Sequence, residues 1–288
     1  MIRTFTIELS GGIGNQLFQI AFLYSMSTKL NTPYKLFYNQ FAGCRQGSHP
    51  SKYYNNIFEK LKFEDDKIVQ SYSIYNEKNW YFYPIIDDIN KLVKISTEQS
   101  LVIKFTGSYQ SENYFKEYSK EIKDLFTPQI GIINYLKKNT NILNNFPELI
   151  DDNDFCFIGV RRGDYVTYSH YHNPCGMVYF IKAMEKMNKN KYYIMSDDLK
   201  WIKDNFKGDK YVYLDIKDDL ESFLTICLFK NYIISNSTFH WWGSYLSIYN
   251  NPRIIAPDKW LFGEHIEKEK YWSIYRDGME IIERIIEV

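Results

Sequence analysis

The chain has 288 residues, 35 of them basic and 35 acidic, so its formal net charge is zero. That length suits one or two domains with a real apolar core. A neutral chain lacks the basic excess that general nucleic-acid and anionic-membrane binders need, and no run approaches the roughly 18 apolar residues of a membrane span.

The chain opens on a strand-like run, Ile2 to Leu9, followed by Gly11-Gly12-Ile13-Gly14-Asn15 and an apolar helix expected from Gln16 to Leu30. Glycine is scarce, 14 residues in all, so this cluster stands out. Strand, glycine turn and helix make a place where backbone can approach a ligand and where a helix N-terminus attracts an anion. The turn is neither GxGxxG nor a P-loop, and a ligand-free tight turn is the plainer reading. Residues 39 to 60 read as a loop, helical patterns follow over 111–126 and 131–145, and Pro128 closes the first of them. The acidic stretch Asn144 to Asp154 marks an expected domain boundary near residue 150, dividing the chain into 1–150 and 151–288. Asp152 and Asp154 have the Asp-x-Asp spacing of a divalent-cation site, but a linker position favours a solvated loop.

Beyond the linker the pattern alternates. Strands are expected at Phe155–Val160, Tyr192–Met195, Tyr211–Leu214, Tyr232–Ser235 and Arg253–Ala256, with helices near 177–188, 198–206, 218–230 and 239–249 and a helical tail after them. Such alternation implies a parallel sheet covered by helices on both faces. In such sheets ligands gather beyond the carboxyl ends of strands, and three of those ends carry candidate chemistry. Arg161-Arg162-Gly163-Asp164-Tyr165 follows the first, and its two guanidiniums suit a diphosphate. A surface ion pair is the bland alternative, and an adhesion Arg-Gly-Asp is disfavoured without secretion features. Ser196-Asp197-Asp198 closes the next strand, where a carboxylate could accept the two adjacent donors of guanine or simply cap a helix. Ser235-Asn236-Ser237-Thr238-Phe239-His240-Trp241-Trp242-Gly243 joins hydroxyls to a helix start, which makes either a phosphate cradle or a capped helix with core tryptophans.

Other signals are negative. Cys44, Cys156, Cys175 and Cys227 form no CxxC pair and read as reduced thiols. The five histidines show no HxxxH or HExxH spacing. The N-terminus has no signal-peptide layout. A cytoplasmic protein without a bound metal is the expectation, and peripheral membrane association stays open.

Taken in order, Gly-Gly-x-Gly-Asn-Gln, Arg-Arg-Gly-Asp-Tyr, Ser-Asp-Asp and Ser-Asn-Ser-Thr-Phe-x-Trp-Trp-Gly resemble family 11 glycosyltransferases, the α-1,2-fucosyltransferases. Gly107 to Phe115 and Ala256-Pro257-Asp258-Lys259-Trp260 support the likeness, which spans about residues 4 to 262. The resemblance implies a GT-B-like α/β fold, two Rossmann-like domains with parallel sheets facing a cleft. It also implies metal-free, inverting transfer of L-fucose from GDP-β-L-fucose to a glycan, usually at a terminal β-galactose.

Carried over by position, Arg161 meets the donor diphosphate with Arg162 in support. Asp197 faces guanine beside Asp198. Ser237 and Thr238, flanked by Ser235 and Asn236, line the phosphates. Gly12, Gly14, Asn15 and Gln16 form the turn of the first, acceptor-side domain. Asp164 is the first candidate base; Glu112, His170 and His172 are reserves, and His240 joins the acceptor side. Acceptor loops are expected at 39–60 and 165–176. Two positions depart from the pattern: Gly159 stands where the family has histidine, and His240 where it has serine before Trp-Trp. The departures keep another GDP-sugar open, as well as an inactive nucleotide- or glycan-binding module.

Overall fold

The computed structural model describes residues 2–43, 47–65, 72–78, 82–95, 100–150, 155–262 and 273–284. The acidic pair Asp152 and Asp154, and Cys44, lie outside these residues. The chain divides into two compact units, Met1–Gln129 with Tyr271–Arg276, and Ile130–Lys270 with Asp277–Val288.

The first unit contains β1 (Ile2–Ile7), α1 (Ile13–Lys29), β2 (Leu36–Phe37), β3 (Phe63–Glu64), β4 (Ser73–Asn76), α2 (Ile86–Ile95), β5 (Ser100–Thr106) and α3 (Ser119–Leu125). Its main sheet runs β1-β5-β4, all parallel, and β2 pairs with β3. Helix α1 starts three residues earlier than expected, and residues Leu17, Phe18 and Ile20 to Leu23 are all buried. A helix that is apolar nearly all round belongs in a core. There Phe22 stacks on Tyr109 at 3.7 Å and meets Phe105 edge-on at 5.1 Å. The helix expected over 111–126 is broken: two 3-10 turns, Glu112–Tyr114 and Lys116–Tyr118, precede α3. The break falls at Phe115, whose φ of −134° is not helical and whose ring is wholly buried.

The second unit contains α4 (Ile132–Asn139), α5 (Ile142–Asn145), β6 (Cys156–Val160), α6 (Gly163–Thr167), α7 (Met177–Met187), β7 (Tyr192–Ser196), α8 (Leu199–Asn205), β8 (Tyr211–Tyr213), α9 (Asp219–Ile226), β9 (Asn231–Ile234), α10 (Thr238–Tyr245), β10 (Arg253–Pro257) and β11 (Met279–Ile282). Its sheet of six parallel strands runs β11-β10-β9-β6-β7-β8, which puts β6 inside. All five residues of β6 are buried, as expected of a parallel strand covered on both faces. Cys156, Ile158 and Val160 face the cluster built by Tyr179, Phe180, Ala183 and Met187 of α7. Phe157 faces the other way, toward Phe229, Tyr232 and His240.

Two boundaries differ from expectation. Residues 130–150 belong to the second unit, not the first. The reason is packing: α4 lies on α9, Phe146 meets Tyr193 edge-on at 6.3 Å, and Glu148 accepts from Tyr193 Oη at 2.5 Å. The expected helical tail is, at Met279–Ile282, a strand. Here residues 279–282 pair in parallel with β10, and Glu280 is tied to Arg253 Nε at 2.7 Å and Lys186 Nζ at 3.1 Å, so tertiary pairing overrides a sequence with helical spacing.

Candidate active site

In the first unit, the turn from β1 into α1 needs glycine at position 11, whose φ is +72° and where a Cβ would strike Asn15. Gly12 caps α1 with extended backbone, and Gly14 lies in its buried first turn. Gln16 is fully buried, and its amide donates to Gly11 O at 3.0 Å and Ser48 O at 3.1 Å. Gln19, which sequence reasoning missed, braces the same turn by donating to Ser10 Oγ at 2.8 Å and Gly107 O at 2.7 Å. Asn15 accepts from Gln110 Nε2 at 3.0 Å. Glutamines thus hold the turn from behind. Glu112 lies in the 3-10 turn Glu112–Tyr114 of the same unit, part-buried.

In the second unit the three strand ends meet. β6 pairs with both β7 and β9, so Arg161, Asp197 and Ser235 are neighbours although far apart in the chain. The Arg161 fork is divided: Nη2 donates to Asp164 Oδ1 at 2.8 Å, and Nη1 lies 2.9 Å from Asp197 Oδ2. Its face rests on the Tyr165 ring at 5.2 Å. Asp197 Oδ1 accepts the Arg162 backbone N–H at 2.8 Å. Both oxygens read from sequence as facing guanine are therefore bound to the arginine pair. Asp198 supplies the helix cap instead: Oδ1 accepts from Trp201 N at 2.9 Å, starting α8, and Oδ2 accepts from Arg162 Nε at 3.3 Å. Arg162 stacks on the Trp201 indole at 4.3 Å. Tyr165 belongs to the Arg-Arg-Gly-Asp-Tyr motif but was given no role there, and Trp201 was not anticipated, since no sequence spacing ties it to the arginines.

The turn from β9 into α10 has internal and outward members. Asn236 is fully buried; its amide donates to His172 O at 2.8 Å and Trp260 O at 2.9 Å, and its own carbonyl accepts from Tyr165 Oη at 3.0 Å. Ser235, also fully buried, meets His240 Nδ1 at 3.1 Å through Oγ. Trp241 and Trp242 are core residues, as the plainer reading held. Ser237 occupies the N-cap of α10, yet its side chain makes no cap bond. The N-cap side chain of α10 thus takes none of its first N–H groups, and a helix start of that kind suits an anion.

The histidines separate. His170 is exposed. His172 stacks flat on Tyr165, 3.9 Å between ring centroids, and its Nδ1 is buried with no hydrogen-bond partner among the described residues. Burial first, then the Arg161 and His170 charges, outweigh the pull of Asp164 and take its pKa down to about 4. His240 is 4% exposed, behind the site and not on an acceptor face. Burial, aided by Arg161, takes its pKa down to about 3. Among the described residues, no group of three or more His, Cys, Asp or Glu could hold a metal ion, and no helix is long and apolar enough to cross a membrane. Cys156, Cys175 and Cys227 are free and buried.

The solved NodZ α-1,6-fucosyltransferase, co-crystallised with GDP, has a similar fold: TM-score 0.50 and 15% identity over 88% of this chain and 94% of that one. The two parallel-sheet units are of the GT-B-like class. An α-1,2-colitosyltransferase of Escherichia coli is 27% identical over 90% of this chain and 93% of its own. The O-antigen biosynthesis glycosyltransferase WbnK of Escherichia coli is 25% identical over 90% and 96%. A Caenorhabditis elegans chain with the provisional name galactoside 2-alpha-L-fucosyltransferase svh-11 is 24% identical over 89% and 71%. The model of glycosyl transferase family 11 matches residues 1–278. With nearly its whole length matched, and with the ordered strand-end motifs gathered around Arg161, the chain belongs to glycosyltransferase family 11.

Proposed function

We propose that the protein transfers L-fucose from GDP-β-L-fucose, with inversion, to the 2-hydroxyl of a terminal β-galactose in a glycan. One observation carries the reading: the Arg161 guanidinium, oriented by two carboxylates, shares the strand ends with the start of α10, whose N-cap Ser237 makes no side-chain capping bond. The bond from fucose C1 to the β-phosphate oxygen breaks, and GDP leaves with the electron pair. The acceptor oxygen bonds to C1 from the opposite face and loses its proton to a base. Fixed donors aimed at the departing charge lower that barrier. Arg161 and the backbone N–H groups beside Ser237 and Thr238 are those donors, so the reaction needs no metal and no cofactor beyond its donor substrate.

Asp197 in this reading holds one arm of Arg161 in place, and Asp164 holds the other and is the candidate base for the acceptor proton. His172, neutral at pH 7, braces Tyr165. The Gly12–Gln16 turn serves the acceptor side. The relatives named for fucosyl and O-antigen transfer support this assignment.

The relative named colitosyltransferase, together with the exchange at Gly159 and His240, favours a second reading, in which the donor is another GDP-sugar. Purified protein incubated with GDP-fucose, GDP-mannose and UDP-sugars against a glycan panel, with linkage analysis, separates the readings. An α-1,2-fucosylated galactoside is expected. Turnover of a different GDP-sugar alone supports the second reading. A thermal shift with GDP and no turnover of any donor marks a binding module.

A further inference from the structure

A Cβ built on Gly159 would stand 2.6 Å from both Cγ and Nδ1 of His240 and 2.8 Å from Cδ2. Real side chains do not approach so closely. Position 159 on β6 and position 240 on α10 therefore compete for one volume. Alternation along β6 sets Phe157 and Gly159 on the same face, and the Phe157 ring meets the imidazole edge-on at 5.8 Å. The ring is also tied in by hydrogen bonds. Gly159 O accepts from Ser235 N at 3.1 Å, and Ser235 Oγ meets His240 Nδ1 at 3.1 Å. A closed circuit thus joins β6, the β9–α10 turn and α10 itself. Arg161 leaves β6 two residues beyond Gly159, and its charge acts on this imidazole.

The two departures noted in the sequence are consequently one structural event, a glycine on the strand making room for a histidine from the helix. We infer that His240 is a positioning residue of the donor site: lodged on Gly159 and bonded to Ser235, its imidazole fixes the strand end that carries Arg161 against the start of α10. This rests on the donor-site reading of Arg161. The two anion-holding elements come from different parts of the chain, and a circuit through Ser235 and His240 sets their separation. Errors of about an ångström in such a separation cost about a hundredfold in rate. A neutral ring also suits the place, because an imidazolium there would face Arg161 as a like charge.

The test is a cycle of four proteins, wild type, H240S, G159H and G159H/H240S, with GDP affinity by calorimetry, kcat and KM for GDP-fucose, and thermal midpoint. H240S empties the volume, and G159H overfills it. The double variant returns one imidazole to it from the strand. We expect H240S to lose about tenfold to a hundredfold in kcat/KM, mostly in kcat. The double variant should recover to within about threefold of wild type, a strong coupling between the sites. If G159H does not fold, H240S and the double variant still decide. An H240S enzyme with a lowered midpoint but unchanged kcat/KM, or a double variant no better than H240S, overturns the inference. A wild type that neither binds GDP nor turns over a GDP-sugar overturns the donor-site reading instead, whatever the coupling in thermal midpoint.

Discussion

Asp197→Asn separates two jobs for one carboxylate by the direction of their effects. The substitution keeps the shape and leaves Oδ1 able to accept the Arg162 N–H, now made at 2.8 Å. It replaces Oδ2, which lies 2.9 Å from Arg161 Nη1, with a donor facing a donor. Arg161 keeps its other partner, Asp164 at 2.8 Å. The Arg161 and Asp197 side chains are 24% and 27% exposed, so the lost pair should cost only about 0.2–1 kcal/mol of stability. A negative charge also leaves the neighbourhood of the diphosphate, which favours GDP. If Asp197 orients Arg161, GDP affinity should therefore stay within about 1 kcal/mol of wild type while kcat falls about tenfold or more from the loosened fork. If Asp197 instead accepts from guanine, two donors lose their acceptor and GDP binding weakens by roughly 1–3 kcal/mol. Calorimetric titration of GDP and UDP into both proteins, beside steady-state kinetics, reads both quantities. A Kd for GDP raised more than about tenfold, with UDP affinity unmoved, would refute the orienting role and restore the guanine contact.

Arg161→Ala should lower kcat about a hundredfold or more, the scale of one lost donor to developing charge. Arg161→Lys should recover little of it, because a point charge does not reproduce the planar fork held between Asp164 and Asp197; near-normal kcat in the alanine variant would remove Arg161 from the mechanism, and in the lysine variant would show that charge alone suffices. Excess EDTA should leave the transfer rate unchanged, since fixed guanidinium and N–H donors hold the leaving charge; a loss restored by manganese or magnesium would contradict this. Acid should destabilise the fold partly through His240. Below pH 6.5 the unfolded chain takes up a proton that the folded chain refuses until about pH 3, so stability falls as pH falls across that window. The full contribution is on the order of 5 kcal/mol, and urea melts from pH 7 to pH 4 should show a shallower decline for His240→Asn than for wild type; parallel declines would contradict it.

Much of the second unit is written locally. β6, β7, β9 and β10 are short apolar runs that end at polar strand termini, and buried parallel strands produce that pattern. The first unit was less legible. β4 sets half-buried Ser73 and buried Tyr75 against exposed Ile74 and Asn76, and β5 carries Lys104, which pairs with Glu8, so neither presents a clean apolar run. β11 reads as helical because its strand partner, β10, lies about 25 residues upstream and local sequence carries no sign of the pairing. The ordered motifs do fall at neighbouring strand ends of one sheet, but their order does not give the hydrogen-bond partners there. Both Asp197 and Asp198 follow a strand and precede a helix, and only geometry tells which caps α8 and which holds Arg161. The Gly159–His240 exchange was visible as two oddities; their contact was not, because spacing along a chain carries no information about which face of α10 meets β6.

The return of Tyr271–Arg276 to the first unit bears on the order in which the chain can be completed during synthesis. Ser111, 1% exposed, bonds through Oγ to both the carbonyl and the hydroxyl of Ser273, at 2.9 and 2.7 Å, and Ser273 Oγ accepts from Phe82 N at 3.1 Å. Those bonds cannot form until the ribosome has made nearly all of the second unit. The second unit in turn lacks its edge strand until Ile282 has emerged. Neither half can make all its native contacts before the other is almost made, so an N-terminal domain completed first, the usual sequence, is not open to this chain.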